Sequence, residues 1–181
     1  MKICVFAGSL RRGSLNKTFA REAARLLAAR GHEADFVDLQ PLAIPVYDGD
    51  AEAAGGVPAG AAELSRRLAA ADALVVSTPE YNGSIPGVLK NAIDWLSRIK
   101  PVALFDKPLL LLAASPGALG GVRSLWHTRV PFEVLGAHVF PDMLGLPRAH
   151  EAFDDSGRLK DAAFAQRLQD LLDRFCARAG R

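Results

Sequence analysis

Apolar residues fall into short unbroken runs, and between the runs they recur at helical spacing. Lys2 to Ala7, Ala34 to Val37, Ala73 to Ser77, Pro108 to Ala114 and Ala137 to Phe140 read as five strands. Runs without polar alternation are buried on both faces, as parallel strands under helices are. Asn16 to Arg30 carries Phe19, Ala20, Ala23, Leu26 and Leu27 on one helical face and stops at Gly31, which suits a left-handed cap. Further helices are predicted over Gly60 to Ala70, along Ile85, Val88, Leu89, Ala92, Ile93 and Leu96 behind Ser84 as N-cap, over Gly121 to Leu135, and through Phe164, Leu168, Leu171, Leu172 and Phe175. Strand alternating with helix predicts an α/β fold, a doubly wound five-stranded parallel sheet with helices on both faces, as one domain over residues 1–181. Tyr47 to Gly60 reads as a connecting loop, and Pro131 predicts a kink or break near Arg129.

The first junction carries the most chemistry. A strand runs into Gly8-Ser9-Leu10-Arg11-Arg12-Gly13-Ser14-Leu15-Asn16 and then into a helix, so free N–H groups, a helix dipole, hydroxyls and guanidinium groups converge. Such a loop suits a phosphate held by Ser9, Arg11, Ser14 and Asn16. Gly8 and Gly13 have P-loop spacing, but Ser14-Leu15 replace the Lys and Ser/Thr an NTPase needs, and the dinucleotide fingerprint G-x-G-x-x-G is missing. Ser14 also suits the plain role of N-cap, so this loop alone leaves both readings open.

Composition narrows the partners. The net charge of +2 is spread without a basic block, and aromatic residues for base stacking are few, which argues against nucleic acid. The longest apolar stretch, Leu109 to Ala114, is too short to span a membrane, and the first strand is too brief for a leader, so the cytoplasm is the expected location. Two distant cysteines and four scattered histidines offer no metal or iron–sulfur spacing. Ala113-Ala114-Ser115-Pro116-Gly117 is not a hydrolase elbow, because Pro116 lacks the N–H an oxyanion hole requires.

In parallel α/β sheets, ligands bind beyond the carboxyl ends of the strands where strand order reverses. The loops Thr78 to Gly87 and Ser115 to Gly121 should therefore meet the first one. Gly8-Ser9-Leu10-Arg11 with Ser14 and Asn16, Pro79-Glu80-Tyr81-Asn82-Gly83-Ser84-Ile85-Pro86-Gly87 with Leu89-Lys90-Asn91-Ala92-Ile93-Asp94-Trp95, and Ser115-Pro116-Gly117 with Gly120-Gly121 together resemble the NADPH-dependent FMN reductase family. The resemblance implies a flavodoxin-like fold of strand order 2-1-3-4-5 and noncovalent FMN. It also implies hydride transfer from NADPH or NADH to the flavin and on to a quinone or similar acceptor, such as a flavin, an azo compound or chromate.

By the family pattern, Ser9, Arg11, Ser14, Leu15 and Asn16 would hold the phosphate. Pro79, Glu80, Tyr81 and Asn82 would line the isoalloxazine, with Ser115 and Gly117 opposite. No side chain is required as acid or base, because the cofactor carries the hydride chemistry. Arg12 and Arg123 are candidates for a nicotinamide 2′-phosphate. A nonenzymatic flavin carrier or sensor would use the same site. The resemblance further implies a homodimer or homotetramer, and Trp95, lying off the apolar stripe beside Asn91 and Asp94, is the expected interface anchor.

Overall fold

The computed structural model of the chain describes residues 1–180. Five helices and a central sheet account for the predicted alternation, with one short helix added: β1 (Lys2–Ala7), α1 (Leu15–Ala29), β2 (Glu33–Val37), α2 (Gly49–Gly55), α3 (Ala59–Ala69), β3 (Ala73–Ser77), α4 (Gly87–Arg98), β4 (Pro108–Ala114), α5 (Val122–Val134), β5 (His138–Val139), β6 (Leu144–Leu146) and α6 (Ala162–Ala179). All strand pairs are parallel, in the order β2-β1-β3-β4-β5, with β6 also on β4. That order is the flavodoxin-like one, reversing between β1 and β3.

The pleat divides the core in two. Ile3, Val5, Val75, Leu110 and Leu112 face α1 and α6, meeting Phe19, Ala23, Leu27, Leu168, Leu172 and Phe175. Cys4, Phe6, Leu74, Val76, Leu109 and Leu111 face the opposite layer, meeting Leu64, Leu68, Leu89, Ile93, Leu125 and Phe132 of α3, α4 and α5. Because both faces of the sheet are covered, its strands need no polar side, which explains their unbroken apolar runs. Burial pushes the Cys4 thiol up to about 12 and the Cys176 thiol up to about 11, so neither is a thiolate at neutral pH.

Several local expectations are corrected. The fifth sheet position is filled by two short strands: β5 pairs with Pro108 and Leu109, whereas β6 pairs with Leu112 to Ala114. The predicted strand Ala137 to Phe140 stops because Pro141 cannot donate to the ladder. Tyr47 to Gly60 contains helix α2, whose first turn is held by Asp48 accepting from the N–H groups of Asp50 (2.8 Å) and Ala51 (3.3 Å). Helix α4 is preceded by Pro86 rather than capped by Ser84. Helix α5 continues through Arg129 despite Pro131; the carbonyl that Pro131 leaves without a donor belongs to exposed His127, where water can meet it.

Trp95 does not project into solvent. It is 1% exposed, its indole N–H donates to the Pro45 carbonyl at 2.9 Å, and Tyr47 meets its ring edge-on at 5.0 Å. Asn91 fastens the same cover, donating to Pro45 O (2.8 Å) and accepting from Tyr47 N–H (2.8 Å). The chain's own 45–52 segment thus occupies the face assigned to a partner.

Candidate functional site

Three loops leave the carboxyl ends of β1, β3 and β4, and their closure begins in α1. Ser14 caps that helix, its Oγ accepting from the N–H of Lys17 at 3.3 Å, so the N-cap role is real. It does not exhaust the helix end. The N–H groups of Leu15 and Asn16 meet no acceptor among the described residues, and the hydroxyls of Ser9 and Ser14 accept backbone N–H groups while keeping their own protons to donate. Arg11 is exposed beside them and has no ion-pair partner among the described residues. Aligned N–H groups, hydroxyls and a free guanidinium match the geometry and charge of a phosphate.

One cation in this region is already spoken for. Lys17 is only 2% exposed, and its ammonium sits 2.7 Å from Asp38 Oδ1 at the end of β2, with Leu10 O at 3.5 Å. Partial burial tends to raise the Asp38 carboxyl, but hydrogen bonds from Lys17 and Gln40 outweigh it and hold the group below its ordinary value. Periodicity does not mark this pair, because its partners stand 21 positions apart. Arg11 is then the loop's uncommitted positive charge with Arg12, which is also exposed.

Asn16 is buried, and its carboxamide faces the sheet. Oδ1 accepts from Ala114 N–H (2.8 Å) and Ser77 Oγ (2.9 Å), while Nδ2 donates to Ala114 O (2.8 Å). With both Oδ1 contacts and one Nδ2 proton committed to the sheet, Asn16 keeps its backbone N–H at the open end of α1 and one further Nδ2 proton.

The β3 loop turns sharply. Tyr81 and Ser84 exchange both backbone hydrogen bonds (3.1 and 3.0 Å) around Asn82 and Gly83, whose φ angles of 52° and 75° are those of an Asn-Gly type I′ turn. Tyr81 and Asn82 are left exposed at its tip, while Pro79 is buried below. Glu80 crosses to α5: it accepts from the Arg123 backbone N–H at 3.1 Å and from two nitrogens of the Arg123 guanidinium group, Nε at 2.7 Å and Nη2. Burial acts to raise the Glu80 carboxyl, yet the Arg123 hydrogen bonds prevail and keep it low, hence anionic. Arg123 is therefore engaged with the β3 loop. His127, one turn further along α5, holds Ser84 Oγ through Nδ1 at 2.9 Å.

The β4 loop is packed from the other side. Ser115 N–H donates to Leu146 O (3.1 Å), its carbonyl accepts from Ala149, and its Oγ accepts from Gly117 N–H (3.1 Å). Strand β6, which periodicity did not reveal, is thus what seats Ser115 and exposed Gly117. The approach is close: a Cβ on Gly120 would lie 2.9 Å from the Gly145 carbonyl carbon, and one on Gly145 would lie 2.7 Å from Gly120 O. Only glycine fits at either position. A groove of about 1180 Å³ between Met1, Asp72, Pro108, His138 and Phe175 opens at the amino ends of the strands, away from these loops.

Comparison with known proteins gives a consistent picture. The sequence model of the NADPH-dependent FMN reductase family matches residues 1–151. A quinone reductase of Escherichia coli K12 is 35% identical over 178 residues, covering 97% of this chain and 93% of its own. An NAD(P)H-dependent FMN reductase of Pseudomonas aeruginosa is 38% identical over 174 residues, covering 95% and 91%. Among solved structures, the flavoenzyme NAD(P)H:(acceptor) oxidoreductase of Paracoccus denitrificans superposes with a TM-score of 0.81 at 29% identity, covering 96% of this chain and 94% of that one.

Proposed function

The chain belongs to the NADPH-dependent FMN reductase family and is an FMN-using oxidoreductase, and from that premise we propose how its own residues carry the activity. The phosphate of FMN is held by Ser9, Arg11 and Ser14 and by the backbone N–H groups of Leu15 and Asn16. Pro79, Glu80, Tyr81 and Asn82 line one side of the isoalloxazine, and Ser115 and Gly117 the other. The observation that carries this reading is the open end of α1, with its two unpaired N–H groups beside Ser9, Ser14 and Arg11.

The hydride chemistry belongs to the cofactor when it is bound. The protein's part is position and field. Tyr81 supplies a flat surface, Asn82 both donates and accepts at the pyrimidine edge, and the backbone around Gly117 can come close to the ring. Arg123 neutralises the Glu80 carboxylate, so the loop presents a paired charge to the site rather than a bare anion. No residue is assigned as acid or base. The donor is NADPH or NADH, and the acceptor is a quinone or similar small molecule that takes the donor's place on the same exposed face.

Sequential use of one face predicts ping-pong kinetics. Double-reciprocal plots of NADPH oxidation at several quinone concentrations should be parallel; convergent lines without dead-end inhibition would argue for a ternary complex. A nonenzymatic carrier would show bound flavin and no steady turnover in the same assay.

We also infer that the protein works in the cytoplasm as one FMN-binding domain in a homodimer, or a homotetramer of such dimers. Trp126, Val130 and Val134 recur every fourth residue along α5, and Phe105 stands against Gly136 just beyond its end. All four are between 57% and 77% exposed. A stripe some 12 Å long of large apolar residues is unusual on a monomer surface. A second copy suits it, because the stripe can face its own twofold mate. Its Trp126 end adjoins His127, which holds Ser84 of the Tyr81 turn, and this supports a dimer boundary beside the flavin rim.

A further inference from the structure

We propose that the Asn16 carboxamide is the positioning element of this site, a clasp that sets the spacing between the phosphate loop and the two ring loops rather than a ligand of the phosphate; this rests on the FMN reading above. Asn16 is the second residue of α1, whereas Ser77 and Ala114 are the last residues of β3 and β4. One buried side chain therefore joins the far end of the first loop to the origins of the other two through three hydrogen bonds of 2.8 to 2.9 Å. The ladder between β3 and β4 ends at the Ser77–Leu112 pair, two residues short of Ala114. Beyond that rung, where the strands part to admit a ligand, the Asn16 carboxamide meets the Ala114 N–H and C=O as a neighbouring strand would.

Few side chains can do this. The Ala114 peptide needs an acceptor and a donor on one planar group, and Ser77 needs a second lone pair on the same acceptor oxygen. Aspartate would oppose the Ala114 carbonyl, serine is too short, and glutamine carries an extra methylene into a filled space. Satisfying these groups inside the fold also matters energetically, because each would otherwise be a buried polar group without a partner.

The test compares Asn16→Ala and the milder Ser77→Ala with wild type as apo-proteins, first by amide hydrogen exchange and then by titration with FMN and with riboflavin. The clasp predicts faster exchange in residues 78–84 and 115–121 together, not only around residue 16. It also predicts that Asn16→Ala weakens FMN and riboflavin by the same factor, about tenfold for lost buried hydrogen bonds. The FMN-to-riboflavin ratio stays as in wild type, and the visible spectrum of the bound flavin shifts. Ser77→Ala, which removes one of the three bonds, should show the same pattern at smaller size and so serves if Asn16→Ala folds poorly. Selective loss of FMN with riboflavin unchanged would make the Asn16 carboxamide a phosphate ligand and overturn the proposal, as would exchange unaltered in both distant loops. Wild-type protein that binds neither flavin would refute the functional reading, while the exchange experiment would still decide the clasp.

Discussion

Replacing Trp95 with alanine should cost about 3–5 kcal/mol of folding stability, the range for truncating a fully buried large aromatic. The side chain fills the space between α4 and the 45–52 segment, and its loss also removes one of the two donors to the Pro45 carbonyl, leaving only Asn91, and the edge contact with Tyr47. At this chain length each kcal/mol shifts the melting temperature by roughly 2–4 °C, so a drop of about 6–20 °C is expected. Association of the protein that remains folded should not change. Val130→Glu on α5 should do the reverse, leaving the melting point nearly unaltered and producing monomers in sedimentation experiments. A Trp95→Ala protein of normal stability that dissociates would return the interface to α4.

Asp38→Ala is expected to destabilise by about 3 kcal/mol, the lower end for breaking a buried ion pair, because Asp38 itself keeps some access to water. Lys17 would be left buried with little beyond the Leu10 carbonyl to face. The effect should depend on pH in a definite sense. The folded-state pKa of Asp38 is depressed, so its contribution is fully present above the unfolded carboxyl value of about 3.9 and is lost as pH falls through the lower folded value. Asp35 follows the same rule: the Arg67 hydrogen bond is the main cause of its depressed pKa, burial acts in the opposite direction, and the Arg67 charge adds to the lowering. Urea unfolding of wild type and Asp38→Ala should therefore differ most at neutral pH and converge below about pH 4. A difference that grew on acidification would contradict the assignment.

The sheet was legible because its information is local. Five apolar runs, Gly31 after the first helix and the glycine–serine–arginine loop each announce themselves within a few residues, and the order of the three site loops follows from βα alternation. What escaped depends on distant partners. Trp95 looks unpartnered on its own helix because its cover comes from Pro45 and Tyr47, about fifty residues earlier. Asn16 fits a phosphate-loop pattern equally well as ligand or clasp, since its true partners lie 61 and 98 positions away. Helix α2 carries no apolar stripe; it exists because Asp48 caps it and Glu52 is tied to both Tyr47 and Arg98. Strand β6 is three residues long and readable only against β4. The sequence motif named the loops that the fold brings to one edge of the sheet, whereas β6, the Lys17–Asp38 pair and the Asn16 bridge, which pack those loops, emerge only when the chain is folded.

Whether the opening loop reads a phosphate is decided by calorimetric titration of the apo-protein with FMN and with riboflavin. FMN should bind more tightly than riboflavin. Arg11→Ala should reduce FMN affinity by about 1–3 kcal/mol, as for loss of a charge-assisted hydrogen bond, leave riboflavin nearly unaffected, and weaken the dependence of FMN binding on salt. Equal affinity of the wild-type protein for FMN and riboflavin would contradict the account.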